Sequence, residues 1–146
     1  MCRPLLTALL PLALLGGCAI HEEQAAQGAP LAGTEWLLID ERAGPNAQPR
    51  EAPFGKYRLA LDKSGAMSIQ IDCNRGAGSW RMEPLGPSNG RLQFGPIAVT
   101  EALCNDEGLG ERVAASLGRG GTYSLYDGRM TFSTADGAVL TFEPVD

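Results

Sequence analysis

Cys73, Cys104 and the polar residues beside them are the side chains of this 146-residue chain best suited to chemistry. A cysteine can act as a nucleophile, bind a metal or pair with another cysteine. A thiol nucleophile needs a base such as histidine, and the single histidine, His21, lies in a polar segment far from both cysteines. A structural zinc site needs four nitrogen or sulfur ligands, and the stretch that follows the N-terminal segment offers two thiols and no histidine within the fold. Asp72-Cys73-Asn74 and Cys104-Asn105-Asp106-Glu107 supply oxygens that could hold calcium, but neither has the acidic spacing of an EF-hand loop. The second cluster reads more simply as the cap and first-turn charge of a helix. Gly108-Leu109-Gly110 lacks the preceding strand and third glycine of a dinucleotide site. Asp40-Glu41 is no acid–base pair, because neighbouring strand residues face opposite ways. No catalytic residue, metal site or cofactor is expected.

Pairing depends on where the chain resides, and the N-terminus speaks to that. Arg3 precedes a mostly apolar run from Leu5 to Leu15, too short to span a bilayer, followed by two glycines and Cys18. This is the form of a bacterial export signal, and Leu15-Gly16-Gly17-Cys18 resembles a lipobox. The resemblance implies a signal peptide at residues 1–17 and lipid on Cys18. Several acyl chains anchor a protein stably, and Ala19 in place of aspartate favours the outer membrane, with the domain facing the periplasm. Residues 18–30 read as a polar, lipid-anchored tether, and residues 31–146 as one domain.

After removal of the leader, Cys73 and Cys104 are the two cysteines left without lipid. In an oxidising compartment two such cysteines pair as a rule. The bridge closes a loop of roughly thirty residues, worth about 3–4 kcal/mol on the chain-entropy model. With Arg3 gone the net charge falls from −5 to −6, and no basic stripe is present to neutralise phosphates, so nucleic acid is not an expected partner.

Short apolar segments must position these residues. The run Trp36–Ile39 and the alternations Tyr57/Leu59/Leu61, Met67/Ile69/Ile71, Trp80/Met82, Leu92/Phe94, Tyr123/Leu125, Met130/Phe132 and Leu140/Phe142 predict about eight strands. Lys63-Ser64-Gly65, Asn89-Gly90, Asp127-Gly128 and Asp136-Gly137 read as their turns. Asn74, Gly76 and Gly78 read as turn or bulge residues following a strand. Leu109, Val113 and Leu117, spaced four apart, predict one helix ending at Gly118. The expected fold is mainly β with one helix (α+β): a small antiparallel barrel or strongly coiled sheet with the helix packed at one end. The aromatic residues Trp36, Tyr57, Trp80, Phe94, Tyr123 and Phe132 fall in the apolar phase and are expected in the core. Glu41–Pro53 reads as the longest loop, and Glu41, Pro45, Pro49 and Pro53 are candidates for contacting a partner.

In order along the chain, LAGTEWLL, DCNRGAGSW, FGPIAVTEALC with its threonine four residues before Cys104, and YSLYDGRMTFSTADGAVLTF resemble the META domain of HslJ-like envelope lipoproteins. The family usually has Gly-Cys-Asn where this chain has Asp72-Cys73-Asn74. The resemblance implies a compact β-rich fold with one helix, a cysteine pair at Cys73 and Cys104, no established catalytic residues, and links to heat shock, novobiocin resistance and motility or secretion. The expected role is a non-enzymatic, monomeric module attached to the membrane through Cys18, binding an envelope protein or an apolar ligand. The alternatives are an inhibitor that inserts the Glu41–Pro53 loop into a lysozyme-like or protease active site, and a carboxylate-based envelope hydrolase.

Overall fold

Alternating side chains let one face of each strand turn toward a common interior; the seven apolar alternations after the Trp36–Ile39 run do so, and that run turns Trp36 and Leu38 into the core. The computed structural model describes residues 30–146; the leader at 1–17, Cys18 and the tether up to residue 29 lie outside the described residues. The elements run β1 (Thr34–Arg42), β2 (Arg50–Glu51), β3 (Tyr57–Leu61), β4 (Ala66–Ile71), β5 (Asn74–Gly86), β6 (Asn89–Phe94), β7 (Ala98–Val99), α1 (Leu109–Arg119), β8 (Gly121–Tyr126), β9 (Arg129–Ser133) and β10 (Val139–Pro144).

Eight of the strands form an antiparallel meander in the order β1-β3-β4-β5-β6-β8-β9-β10. Strand β10 then pairs back onto β1, from Trp36 opposite Pro144 to Arg42 opposite Val139, and so closes a barrel. Closure leaves none of the eight as an open edge. Two-residue β2 and β7 add to β1 and β5.

The interior is filled with side chains. Leu59, Leu92, Met130, Phe132 and Leu140 are fully buried, and Phe94, half-buried, meets Phe132 edge-on at 6.0 Å between centroids. The other five expected core aromatics, Trp36, Tyr57, Trp80, Tyr123 and Phe132, are buried. One indole serves the chain entry: Trp36 Nε1 donates to Thr34 Oγ1 (2.8 Å), whose hydroxyl donates to the Leu31 carbonyl (2.6 Å), seating Leu31 in the core. These bonds give physical content to the LAGTEW segment.

Three expectations of local structure need correction. Asn74, Gly76 and Gly78 are neither turn nor bulge residues but the start of β5, which runs to Gly86 with its register shift at the far end, between Pro84 and Gly86. A Cβ at Gly76 would lie 3.1 Å from the Ala98 carbonyl oxygen, and one at Gly78 would lie 2.9 Å from the Pro96 carbonyl oxygen, so these glycines admit the β7 segment against the strand. Asn89-Gly90 lies inside β6, and the β5–β6 turn is Pro87-Ser88 instead. Helix α1 continues past Gly118 to Arg119 and is stopped by Gly120 at φ 68. Asp127-Gly128 is the expected hairpin turn, with φ 50 and 74 at its two residues.

Helix α1 lies across one end of the barrel with Leu109, Val113 and Leu117 buried. Its Gly110 packs so closely that a Cβ there would come within 2.5 Å of Ile71 Cγ2 on β4. Gly108-Leu109-Gly110 is therefore a helix entry: Gly108 is the N-cap at φ 77.

Candidate functional site: the disulfide pole

The β3–β4 hairpin defines two poles. At one end, Thr34 pairs with Leu61 and the chain enters through Pro30–Gly33. At the other, Tyr57 pairs with Ile71, and Asp72, Cys73 and the start of α1 follow. Cys73 is bonded to Cys104 with Cα atoms 5.8 Å apart, joining the β4–β5 corner to the strap that leads from β7 into the helix. The Asp72 carboxylate lies within 4.8 Å of both sulfurs. Each sulfur is bonded to the other, which removes both as thiolate ligands.

Asn74 organises the strap. Its Oδ1 accepts from the Thr100 hydroxyl and the Ala102 amide, each at 2.8 Å, while its Nδ2 donates to the Ala102 carbonyl (3.0 Å) and to Cys104 Sγ (3.1 Å). Two donors on one side and two acceptors on the other fix the orientation of the amide. Thr100 Oγ1 in turn accepts from the Arg75 amide at 3.0 Å. The asparagine after the first cysteine and the threonine four residues before the second thus form one latch.

Asp72 has φ 51, in the left-handed region that favours glycine. Aspartate tolerates that region better than most residues, and here its carboxylate also accepts from Lys56 Nζ at 2.9 Å. Asp72→Gly is expected to change the unfolding free energy by less than about 1 kcal/mol, and Asp72→Val to lower it by about 1–2 kcal/mol. Urea titrations of the two variants would check this, and a costly glycine would refute the backbone argument.

Asp106 prepares the helix. Its Oδ1 accepts from the Gly108 amide (3.0 Å) and its Oδ2 from the Gly110 amide (2.8 Å) and the Tyr57 hydroxyl (3.2 Å). Burial acts to raise its carboxyl, but the Gly110 and Gly108 amides and Tyr57 outweigh burial and hold it below the usual carboxylate range. Burial, followed by the negative charge of Asp106, pushes the Tyr57 hydroxyl far above the tyrosine range, so Tyr57 remains a donor. A carboxyl depressed in the native state contributes stability that is fully present above about pH 4, its unfolded value, and is lost as pH falls through the native one. Asp106→Asn should therefore cost stability at pH 7 and flatten the loss between pH 4 and lower pH; an unchanged acid slope in urea melts would contradict the assignment.

Around the bridge lies a groove of about 550 Å³ lined by Arg50, Lys56, Asp72, Leu103 and Glu107 among others. Arg50 reaches from β2 to the Glu107 carboxylate (2.8 Å) and the Asp106 carbonyl (3.1 Å). Leu103 is fully exposed and Phe54, in the neighbouring Pro53–Lys56 turn, is 87% exposed. Both stand on tied loops, Leu103 next to the bridge and Phe54 in a turn closed by the Lys56 amide on the Pro53 carbonyl (3.1 Å). Sequence reasoning missed Leu103, Phe54, Arg50 and Lys56. A single leucine or phenylalanine in a polar stretch has no period to reveal it, and ion pairs reflect tertiary distance alone.

The expected contact loop divides. Pro45, Pro49 and Pro53 are exposed, but Glu41 is not a loop residue. It lies on β1, only 2% exposed, with both carboxylate oxygens 3.3 Å from Arg112 Nε on α1. An acid held inside by the helix cannot serve as an external wedge. Its neighbour Asp40 points the other way and accepts from the Thr141 hydroxyl at 3.1 Å.

Closed antiparallel strands, a filled interior and one helix across an end define a small β-barrel domain. A sequence profile of the META domain matches residues 29–146, so the chain belongs to the META domain family. Three solved structures share its fold. An NMR structure of a protein from Burkholderia xenovorans is 23% identical with a TM-score of 0.61, covering 98% of this chain and 97% of that one. A second NMR structure is 20% identical with a TM-score of 0.57, over 77% and 90% of the two chains. The crystal structure of a DUF4847 family protein from Bacteroides vulgatus is 11% identical with a TM-score of 0.55, over 78% and 94%. Among curated proteins, none matches the sequence.

Proposed function

We propose that the chain is a non-enzymatic envelope module, anchored to the outer membrane by lipid on Cys18, that engages an envelope protein through its disulfide pole. The observation that favours this reading is the pairing of a filled barrel with exposed apolar side chains. Met130, Phe132 and Leu140 occupy the interior where an apolar ligand would otherwise sit, whereas Phe54 and Leu103 face solvent. Apolar side chains held outward on restrained loops lose little further freedom on contact with a partner, which is how compact binding anchors work. Pro30, which the proposed tether would precede, lies at the pole opposite the disulfide. The role follows as support of envelope assembly or stress tolerance, and the domain acts as a monomer.

Two measurements test it. Palmitate labelling in cells should mark the wild-type chain and be abolished by Cys18→Ser, which should also move the protein out of the membrane fraction. A photo-crosslinking residue at position 103 or 54 should trap a discrete envelope protein, while one at exposed Ser64, on the opposite pole, should not. Labelling that survives Cys18→Ser would overturn the anchor, and equal trapping from both poles would overturn the contact surface.

A further inference from the structure

We propose that the Cys73–Cys104 bridge is a polarised thiol-exchange site: an incoming thiolate attacks Cys73, and Cys104 is the leaving sulfur. The two ends of the bond differ. Cys73 is exposed at the β4–β5 corner, beside the open groove, whereas Cys104, on the strap, is half-buried. Cys104 Sγ also receives Asn74 Nδ2 at 3.1 Å, a donor whose orientation is set by three further bonds on the same amide. Thiol–disulfide exchange depends on access to the attacked sulfur and on how well the departing sulfur bears negative charge. Access selects Cys73, and the amide donor stabilises charge on Cys104. The Asp72 carboxylate lies near both sulfurs, and the Lys56 ammonium at 2.9 Å offsets its charge.

The step balances without any group beyond the thiol. The lone pair of RS⁻ forms a new sulfur–sulfur bond to Cys73 Sγ. The Cys73–Cys104 bond breaks and its electron pair leaves on Cys104 as thiolate. A second thiolate of the same class can then attack the mixed disulfide at the incoming sulfur, releasing Cys73 and carrying away R–S–S–R as the oxidised product. The substrate class is a small thiol or the dithiol of a disulfide oxidoreductase. Opening the bridge removes the one covalent cross-link on the strap between Gly95 and Gly108, leaving it held by the pairing of β7 with β5, by the Asn74–Thr100 latch and by Arg50. This inference does not depend on where the chain is anchored.

Regiochemistry tests it. The full chain would be exposed to limiting reduced glutathione, quenched in acid, alkylated and digested with trypsin, which places Cys73 on the peptide 64–75 and Cys104 on the peptide 92–112. Glutathione should be found on the Cys73 peptide in about tenfold excess over the Cys104 peptide, with the alkyl group on Cys104. Asn74→Leu should reduce that preference several-fold while the bridge still forms. An equal distribution, a preference for Cys104, or no adduct under conditions that exchange a small exposed disulfide would each overturn the proposal. Because the wild-type product ratio decides the matter, it stands or falls even if the Asn74 variant does not fold.

Discussion

Replacing Cys73 and Cys104 together by serine is expected to lower the unfolding free energy by about 3–4 kcal/mol, since the bridge spans 31 residues of chain. For a domain of this size that corresponds to a fall of roughly 10–20 °C in melting temperature. The loss should be uneven. The strap and the first turn of α1 depend on the bridge directly, whereas the β8–β9–β10 sheet does not touch it. Amide exchange in the variant should accelerate first over residues 95–112 and least in Phe132 and Leu140. A double variant as stable as wild type would mean that the Asn74 latch and the Arg50 contacts already hold the strap, making the bridge redundant.

The second large effect concerns how the helix is fastened to the barrel wall. Arg112→Ala leaves the Glu41 carboxylate, 3% exposed, without its cation, and stranding one member of a buried pair costs about 3 kcal/mol or more. Glu41→Ala should cost less, because Arg112 is 36% exposed and can turn to water. Replacing both with apolar residues, as in Glu41→Leu with Arg112→Met, should recover most of the loss, since the desolvation cost disappears along with the attraction. Denaturant midpoints for the three variants compare these costs and the recovery directly. Equal costs for the two single changes would show that Glu41 is better hydrated than its position indicates.

Much of the barrel was legible because period-two alternation is a local property. Tyr57/Leu59/Leu61 and Met130/Phe132 announce both their strand and its inward face, and Asp127-Gly128 announces its turn. Closure was less directly written, since pairing of β10 with β1 joins segments about a hundred residues apart and no local pattern states that register. The glycines misled for a physical reason. Gly76, Gly78 and Gly90 look like turns in sequence, yet each removes a side chain where another segment approaches an extended strand. Glu41 was misplaced because a charged residue at the end of an apolar run resembles the start of a loop until its partner, 71 residues away, is known. The disulfide was legible through compartment chemistry and cysteine count, whereas Leu103 and Phe54, the exposed pair that gives the pole its character, carry no periodic signal at all.

Cys73 and Cys104 are joined to each other, as the proposed export of the chain to an oxidising compartment requires. Peptide mapping without reduction, on protein recovered from the cell envelope, tests that most directly. The expected result is a single linked species of the peptides 64–75 and 92–112, with lipid on Cys18 and no alkylatable thiol in the native protein. A free Cys73 thiol, or a bridge from either sulfur to Cys2 or Cys18, would contradict it.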